Sequence, residues 1–583
     1  MLDGFLLPVC HLRPARLLGP FVLSKYLYNP ACHLLLAITL GIIGYSNTLN
    51  APFQLDDLDN IVNNPIIKNL DYYSTPSKAK IYNRVLTEYP LLINRYVGSL
   101  SFALNYRIHG LDVTGYHVIN LLIHLTNTFL AYWLITLILI TLASGTGRDK
   151  PLPLKQIRII AFFSTLLFAT HPIQTQAVTY IVQRFASLAT MFYLLSMVMY
   201  ARARLRTNSY TGVNHGKKIG TKGIVYYLIS LFSAVLAMKT KEIAFTLPVM
   251  IILYEFIFIK DVFKKRVVYL TPFVLTMFII PSTLIYIVGL GGVTGEVTKL
   301  TTDISRIDYF YTEARVIITY IRLIFLPVNQ NLDYDYQIYH SIFNNEVILS
   351  LVAISTICFT VIYLFWRCRK DFPLIRVILF ATAWYFVTIS IESSVIPIPD
   401  VIFEHRMYLP SLGIFLLISI TLTMVTEKYK PIWSDKITFL SVIVIASILT
   451  GITYSRNNVW NDEIMLWQDI VKKSPGKARG HYNLALEYVE RGLLDESVKE
   501  LRSAIKINPI NTAAHYNLGC IYYNQGLIDE SIESFKNAIK IDPSYANAHY
   551  NLGGAYLKKG LIEKANAELR ISKMLENHKY QSR

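Results

Sequence analysis

Long stretches without a charged residue dominate this chain of 583 residues. An α-helix needs about 20 mainly apolar residues to cross the hydrocarbon core of a bilayer, and eleven stretches without Asp, Glu, Lys or Arg approach that length. They cover residues 31–49, 118–143, 159–176, 185–201, 223–238, 243–254, 267–289, 347–366, 377–391, 407–426 and 437–455. Because 53% of the residues are hydrophobic, one soluble core could not bury them. The sequence predicts an all-α, polytopic membrane domain of about eleven transmembrane helices over residues 31–455.

Five loops between these stretches are rich in Lys and Arg, which membranes retain on the cytoplasmic side. These loops contain Arg148, Lys150, Lys155 and Arg158; Arg202, Arg204, Arg206, Lys217, Lys218 and Lys222; Lys260, Lys264, Lys265 and Arg266; Arg367, Arg369, Lys370 and Arg376; and Lys428, Lys430 and Lys436. Placing all five inside agrees with eleven spans and a cytoplasmic N-terminus, so residues 1–30 are predicted to be a cytoplasmic lead-in. The net charge of +17 then reflects topology and not a nucleic-acid partner.

One further apolar segment, residues 312–328, contains Arg315 and Arg322. Counting it as a span would place the basic loop around Arg367 on the outer side. We therefore expect it to form a helix that lies at the outer interface or re-enters it. The five cysteines have neither paired nor metal-ligand spacing, so neither a disulfide framework nor a zinc site is predicted.

Polar and ionisable residues gather at the opposite, non-cytoplasmic ends of the predicted spans. The segments are "FQLDDLDNIVNNP" (53–65), within a first outer loop of residues 50–117, "HPIQTQAVTYIVQR" (171–184), "KTKE" (239–242), "NLDYDY" (331–336) and "EHRMYLP" (404–410). Ionisable groups at span ends are costly unless they pair, meet water or bind a charged ligand. This face is therefore predicted to hold a functional site.

The last part of the chain repeats with a period of 34 residues, marked by His481, His515 and His549. This period is typical of tetratricopeptide repeats, which are antiparallel helix pairs that stack because one pair cannot bury its apolar face alone. Three repeats are predicted over 478–511, 512–545 and 546–579, in an α-solenoid that extends to residue 583, with a partial repeat over 456–477. Such an array is predicted to bind or dock polypeptides.

Together these motifs resemble a family of membrane proteins in which transmembrane spans precede tetratricopeptide repeats. That family is related to protein O-mannosyltransferases and has the GT-C glycosyltransferase fold. The resemblance covers nearly the whole chain beyond residue 30. It rests on the acidic segment 53–65, "LSFALNYRIHGLDVTGYHVINLLIH" (100–124), "HPIQTQAV" (171–178), "KTKEIAFTLP" (239–248) and "EHRMYLPSLG" (404–413).

This resemblance implies an enzyme that takes a sugar, such as mannose, from a polyprenyl-phosphate carrier without a nucleotide. The sugar would pass to an acceptor hydroxyl, expected on a protein Ser or Thr, with membrane lipid and an acceptor polypeptide or envelope protein as partners and no nucleic acid. Because there are only three clear repeats, we expect a bacterial inner-membrane protein whose active site and repeats face the periplasm.

Such a transfer requires a base for the acceptor proton and cations for the departing phosphate. Asp56 and Asp57 are the predicted catalytic residues. Adjacent residues of a helix point about 100° apart, so we expect only one of them to face the sugar, while the other holds a cation or orients the loop. The alternative is that one acid caps a short interfacial helix. Asp59 is assigned only a structural role of this kind.

The predicted donor-phosphate residues are Arg406, His405, Glu404, Lys241, Glu242 and Arg95. Arg406 offers paired donors that suit phosphate oxygens, although it could equally pair with Glu404 or extend towards the interface. Lys241 and Glu242 are predicted to be a second cation and its orienting partner. They and Arg95 are also compatible with a role as interface anchors.

The segment 171–184 supplies two further candidates, His171 and Gln176. The family usually has an acid at the position of Gln176, and an amide can act neither as a base nor as a strong metal ligand. A two-acid metal site is therefore in doubt. No cofactor is assigned and the metal ligands are unknown, but the use of a divalent cation is still possible. His171 is expected to shape the turn. Asp333 and Asp335 could contact the acceptor, but an interfacial loop is the preferred interpretation.

Three functional classes agree with these features. The first is a transferase that acts on protein hydroxyls and recruits its acceptor through the repeats. The second is a transferase or polymerase for lipid-linked or cell-wall glycans. The third is a non-enzymatic membrane scaffold that acts through its repeats and uses the acidic segment structurally. Sensitivity to substitution of Asp56 and Asp57 separates the third class from the others, and the chemical nature of the product separates the first two.

Overall fold

The computed structural model describes residues 28–85, 88–144, 152–207, 220–289, 304–394, 396–429 and 434–581. All regular elements within these ranges are helical, as predicted. The chain divides into two compact units. We call residues up to 330 together with 337–458 the membrane unit, and residues 331–336 together with 459–583 the repeat unit. Apart from its last three residues, the predicted lead-in over 1–30 lies outside the described ranges.

The membrane unit is built mainly from apolar helices. Within the described residues, its α-helices of at least ten residues are Pro30–Tyr45, Tyr96–His109, Val113–Ser144, Leu154–Thr170, Arg184–Thr207, Thr221–Met238, Leu247–Phe258, Phe263–Thr276, Ile279–Gly289, Arg306–Phe325, Asn345–Cys368, Ile375–Ile389, Ser411–Tyr429 and Ser434–Asn457. The first shows how the sequence encodes a helix start. Its N-cap residue Asn29 accepts a hydrogen bond from the Ala31 amide, and Pro30 occupies the first helical position, where no amide hydrogen is needed.

Among the described residues, eight helical stretches are long and apolar enough to cross a membrane, and a ninth qualifies if Leu154–Thr170 and the bent continuation Pro172–Thr179 form one span. The chain is therefore a multi-pass membrane protein. The prediction of eleven full spans is not met within the described residues. Helices Leu247–Phe258 and Ile375–Ile389 contain 12 and 15 residues, so they are about 18 and 22 Å long, whereas the hydrocarbon core is about 30 Å thick. The charge-free stretches that predicted them, residues 243–254 and 377–391, are equally short, so neither was long enough for a full span.

One residue predicted to lie in a basic loop is instead buried. Arg204 lies in helix Arg184–Thr207 and pairs with Glu255 at 2.6 Å and with Asp261 at 2.9 Å. These two acids compensate its charge, so it does not act as a free loop cation. The segment around Arg315 is helical, as expected, and forms helix Arg306–Phe325.

In the repeat unit, helix Glu463–Lys473 precedes three helix pairs. They are Ala478–Glu490 with Leu494–Ile507, Thr512–Gln525 with Ile528–Ile541, and Ala546–Lys558 with Ile562–Gln581. Their first helices begin 34 residues apart, as the sequence period predicts. At the turn inside the second pair, Gly526 has φ +80°, a left-handed conformation that glycine adopts without a steric penalty.

The recurring histidines have packing roles in these pairs. His481 Nδ1 lies 2.5 Å from a Glu500 carboxylate oxygen, and its Nε2 lies 3.0 Å from the Pro475 carbonyl oxygen. His549 repeats both contacts 68 residues later, two periods along the chain. Each of these two histidines therefore connects a first helix both to its partner helix and to the preceding loop.

Residues 331–336 pack within the repeat unit, which corrects the preferred interpretation of "NLDYDY" as an interfacial loop. The buried Asp333 carboxylate accepts two hydrogen bonds of 2.7 Å from Arg479 and also pairs with Lys477. Burial alone would raise the pKa of Asp333, but these two cations hold it below its usual value. The Asp335 amide donates to Ser474 Oγ at 2.8 Å. The periodicity of the repeats gave no indication that a distant segment contributes to them.

Candidate active site

The acidic loop, residues 53–65, contains unusual backbone on both sides of its acid pair. Leu55 has φ +47°, a region that few residues other than glycine occupy. Residues Leu58–Val62 form a single π-helical turn, a rare element that is frequent at functional sites. Strained backbone persists where surrounding contacts hold it, and such sites are commonly functional. Asp56 and Asp57 lie between Leu55 and this π-helical turn, and their side chains have different environments.

Asp57 points into the protein. Its side chain is only 1% exposed, and its oxygens accept hydrogen bonds from the Gln54 amide at 3.0 Å and the Val182 amide at 2.7 Å. Burial raises the pKa of Asp57 to about 8, although the two amide bonds oppose this rise. Asp57 therefore fastens the acidic loop to segment 171–184, because both of its carboxylate oxygens are engaged with backbone amides.

Asp56 is exposed, while its backbone is held in place. Its amide donates to the Tyr180 hydroxyl at 2.8 Å, and its carbonyl accepts from the Asn60 side chain at 2.7 Å. The Tyr180 hydroxyl also interacts with the Asp56 carboxylate. The two acids thus differ as expected from their adjacent positions: one carboxylate orients the loop, and the other faces outwards on a fixed backbone.

We predict that Asp57→Asn lowers stability by about 1–3 kcal/mol, because the amide nitrogen cannot accept a bond and leaves one buried backbone amide without its acceptor. Thermal unfolding of the purified protein at several pH values measures this. Because the folded pKa of about 8 lies above the ordinary 3.8, the stabilisation by protonated Asp57 is complete below about pH 4 and is lost as pH rises through about 8. Asp57→Asn should remove that component, and an unchanged pH profile would contradict the prediction.

The segment 404–410 begins with a buried 3₁₀ turn, Glu404–Met407. The Glu404 carboxylate accepts a 2.8 Å hydrogen bond from the Gln330 side chain. Arg406 makes an ion pair with Glu313, at 3.8 Å, in place of the expected pair with Glu404. Glu404 and Glu313 therefore have separate partners: Gln330 binds Glu404, and Arg406 pairs with Glu313.

Arg406 also fixes a neighbouring loop. Its two terminal nitrogens donate to the carbonyl oxygens of Asp400 at 2.7 Å, Val401 at 2.8 Å and Glu392 at 3.3 Å. The donors predicted to contact phosphate are thus engaged with backbone. Arg406 is better placed to hold the backbone at residues 392, 400 and 401 than to bind a substrate directly.

We predict that Arg406→Lys lowers stability by about 2 kcal/mol or more, because an ammonium group cannot span three carbonyl oxygens and hydrogen bonds to charged groups contribute about 1.5–3 kcal/mol each. The midpoint of thermal unfolding measures this loss. Arg367→Lys, at an exposed position, is the matched control and should leave the midpoint unchanged. Equal midpoints for Arg406→Lys and the parent would contradict the role of Arg406 in the loop.

Lys241 and His405 form the polar centre of this region. Lys241 is 6% exposed, and its Nζ lies 2.8 Å from a Glu392 carboxylate oxygen. The His405 ring is buried, and among the described residues its Nδ1 has no hydrogen-bond partner. Burial, together with the charges of Lys241, Arg406 and Arg95, lowers the pKa of His405 well below its ordinary value. The imidazole is therefore neutral and retains an unused polar atom.

Arg95 and Glu242 form a pair beside this centre. Arg95 donates to both carboxylate oxygens of Glu242, at 3.1 and 2.9 Å, and Asn94 adds a third hydrogen bond at 2.7 Å. The Arg95 guanidinium also lies over the Phe185 ring, 5.3 Å from its centroid. Glu242 thus orients Arg95, whereas the prediction had made it the partner of Lys241.

Segment 171–184 connects the acidic loop with the 404–407 turn. The Gln176 side-chain oxygen accepts from the His405 amide at 3.2 Å, while Tyr180 and Val182 contact Asp56 and Asp57. An amide is sufficient for the hydrogen bond that Gln176 makes. At the start of the segment, His171 caps the turn that follows it, because its Nδ1 accepts from the Ile173 amide at 3.1 Å. His171 is therefore structural, as expected.

Sequence analysis missed two acids of the site, Glu392 and Glu313. Glu392 follows the apolar stretch 377–391 and pairs with Lys241. Glu313 lies beside Arg406 and is 1% exposed, and burial raises its pKa to about 7. A lone carboxylate at the edge of an apolar segment was the signal that could have identified both residues.

The described part of the site brings together no three groups that could share a metal ion. Within the described ranges, the one such group is formed by Glu463, Glu487 and Glu490 of the repeat unit. The metal ligands of the site therefore stay unassigned.

Comparisons with known proteins support these observations. A family model described as a TPR repeat matches residues 485–526 and 521–560. Protein O-mannosyl-transferase F38B6.6 of Caenorhabditis elegans is 26% identical over 487 residues, which are 81% of this chain and 62% of that protein. This chain is its relative. Protein O-mannosyl-transferase Tmtc3 of Drosophila melanogaster is 23% identical over 79% of this chain and 54% of its own length.

Human protein O-mannosyl-transferase TMTC2 is 32% identical over a shorter region, 32% of this chain and 20% of that protein. The chain thus spans about half to three fifths of the first two relatives. All three are animal proteins and give no support to the predicted bacterial origin. Solved structures that resemble part of this chain include those of MamA and YrrB. The crystal structure of MamA shows 25% identity and a TM-score of 0.21, over 28% of this chain and 90% of that one. The structure of YrrB shows 20% identity and a TM-score of 0.19, over 28% and 89%.

Proposed function

We propose that this chain is a GT-C-type membrane glycosyltransferase that moves a sugar, such as mannose, from a polyprenyl-phosphate carrier to Ser or Thr hydroxyls of a polypeptide. The observation that carries this proposal is the exposed Asp56 carboxylate, held on a fixed backbone by the same segment that contacts His405. The names of the relatives, protein O-mannosyl-transferases, support the choice of sugar and of a protein acceptor.

On the acceptor side, Asp56 acts as the general base. The acceptor hydroxyl gives its proton to the Asp56 carboxylate while its oxygen attacks the anomeric carbon of the sugar. The bond between that carbon and the phosphate oxygen breaks, and polyprenyl phosphate leaves with the electron pair. Asp57 and Tyr180 do not react. They position Asp56 through the Asp57 bond to Val182 and the Tyr180 bond to the Asp56 amide.

On the donor side, we assign the phosphate to Lys241 and His405. The Lys241 ammonium has three donor hydrogens and pairs with the Glu392 carboxylate, so it can also bond phosphate oxygens. In the tautomer with its proton on Nδ1, His405 can add a neutral donor. Such preorganised donors stabilise the charge that develops on the leaving phosphate. Arg95 adds positive charge, whereas Arg406, Glu404 and Glu242 hold the surrounding backbone and cations in place.

The basic loops support a non-cytoplasmic location for this site, and a polypeptide-binding array supports recruitment of the acceptor by the repeats. A carrier embedded in the membrane would deliver its phosphate to groups at the ends of spans, where Lys241 and the 404–407 turn are found. A periplasmic site in a bacterial inner membrane stays a prediction from the repeat number.

A transfer assay with the purified full-length protein in a defined bilayer tests this proposal. Labelled polyprenyl-phosphate mannose is the donor, peptides rich in Ser and Thr are the acceptors, and the product is separated into peptide, lipid and glycan fractions. We expect label on peptide hydroxyls, and none when a nucleotide-linked mannose replaces the lipid donor. Label confined to lipid or glycan would favour the second functional class, and the absence of any transfer would favour the scaffold.

A further inference from the structure

A large basic cleft lies at the ends of the helices opposite the candidate active site. Its volume is about 1110 Å³, and its polar residues are Lys260, Arg266, Arg369, Lys370 and Arg376. The rest of the lining is largely apolar and includes Phe256, Phe365 and Leu379. We call this feature the basic cleft. All of its lining residues belong to the membrane unit.

Two helices place the basic cleft and the candidate active site at opposite ends. Helix Leu247–Phe258 follows Lys241 and Glu242 at its start and precedes Lys260 at its end. Helix Ile375–Ile389 carries Arg376 in its first turn, and Glu392 follows its last residue. The helices are about 18 and 22 Å long. The cleft is therefore separate from the groups assigned to sugar transfer.

The cations of the cleft lack acidic partners. None of the five forms an ion pair within the described ranges. The nearest carboxylate in sequence to Lys260 is Asp261, which is bound by Arg204 at 2.9 Å, and Asp371 does not line the cleft. The Arg266 Nε atom is buried and has no partner among the described residues. Five positive charges thus surround one cavity without compensation from the protein.

The shape of the cleft also favours a lipid over a soluble anion. The two helices that line it are those too short to cross the hydrocarbon core, so each leaves part of the bilayer thickness unfilled. Helix Asn345–Cys368, which ends at Arg369, has mostly exposed apolar side chains, including Phe359 and Trp366. Where the short helices leave the bilayer unfilled, the apolar side chains can contact an acyl chain, and the basic residues at the rim can bind a phosphate.

We propose that the basic cleft binds an anionic phospholipid, with its phosphate head group among the five cations and an acyl chain along the apolar wall. Arg369 can offer planar paired donors to phosphate oxygens, while Arg266, whose Nη2 donates to the Ile259 carbonyl oxygen at 2.6 Å, contributes its charge and its remaining donors. The inference does not depend on the proposed transfer reaction. It gives the basic loops a binding role in addition to their role in setting topology.

The test uses the full-length protein in nanodiscs of phosphatidylcholine to which phosphatidylglycerol with the same acyl chains is added. Native mass spectrometry measures how much of each lipid stays bound. The test variant is Arg369→Gln/Lys370→Gln, in which both side chains line the cleft and are exposed, so folding should be preserved. The matched control is Arg367→Gln/Lys264→Gln, which removes the same charge at exposed positions that do not line the cleft.

We expect the parent and the control to retain phosphatidylglycerol in preference to phosphatidylcholine. The test variant should bind it about tenfold more weakly or worse, since each basic residue near an anionic surface contributes about 1 kcal/mol. Equal losses in the test and control variants would overturn the proposal, because general charge attraction would then explain binding. Equal retention of both lipids would also overturn it. Displacement of the lipid by soluble glycerol phosphate at comparable concentration would identify a free phosphate site instead.

Discussion

Asp56→Asn is expected to abolish sugar transfer almost completely while leaving the protein folded. An amide keeps the shape of the side chain but cannot accept the acceptor's proton, and the loss of a general base typically costs about a hundredfold or more in rate. The Asp56 side chain is exposed, its backbone bonds to Tyr180 and Asn60 do not use the carboxylate, and an amide oxygen can still accept from the Tyr180 hydroxyl. Folding should therefore be preserved, in contrast to Asp57→Asn.

Single-turnover transfer from a saturating donor measures this effect. Asp59→Asn is the matched control, because Asp59 is exposed in the same loop and has no assigned role in the reaction. We expect the control to keep near-parental rates and the same midpoint of unfolding as Asp56→Asn. If Asp56→Asn kept near-parental turnover, the acid pair would be structural and the scaffold class would be favoured.

Lys241→Gln is expected to weaken donor binding about tenfold to a hundredfold, with a much smaller effect on acceptor binding. A neutral amide cannot compensate the phosphate charge, and truncating one partner of a buried charge pair also leaves Glu392 uncompensated. Inhibition by a short-chain polyprenyl phosphate measures affinity for the carrier directly. Lys239→Gln, two residues earlier and partly buried, provides the control.

The double variant Lys241→Gln/Glu392→Gln separates binding from folding. Removing both charges of the 2.8 Å pair should restore the midpoint of unfolding, because an unpaired buried carboxylate no longer remains. Affinity for the short-chain polyprenyl phosphate should stay low. Recovery of that affinity in the double variant would show that Lys241 acts only by balancing Glu392.

The sequence predicted the elements whose signals are local. The 34-residue period located all three helix pairs, and of the eleven predicted spans the charge-free stretches located eight, or nine if the bent pair Leu154–Thr170 and Pro172–Thr179 is one span. The charge-free stretches 243–254 and 377–391 are as short as the helices Leu247–Phe258 and Ile375–Ile389, but they are displaced along the chain: the first stretch begins within the 3₁₀ turn Glu242–Thr246, and the second ends after Ile389. Hydropathy reports the partition of side chains between water and lipid, and it does not report where a helix ends.

The site was predicted only in part, because only some of its signals are local in the sequence. The acid pair and the charged segments were visible as residue types, but their division of labour depends on contacts between residues far apart in sequence. The bond between Asp57 and Val182 spans 125 residues, and Arg406 meets Glu313 from another helix. Likewise, Asp333 lies far from Arg479 in sequence, although the two form one buried pair. Only the folded chain reveals such partners.

A density map of the full-length protein with a polyprenyl-phosphate sugar bound tests the central claim most directly. Our account predicts the phosphate beside Lys241 and His405, the anomeric carbon towards the acidic loop, and the Asp56 carboxylate on the side from which an acceptor hydroxyl would attack. Arg406 should keep its bonds to the carbonyl oxygens of residues 400 and 401. A phosphate held elsewhere, with the sugar out of reach of Asp56, would contradict the account.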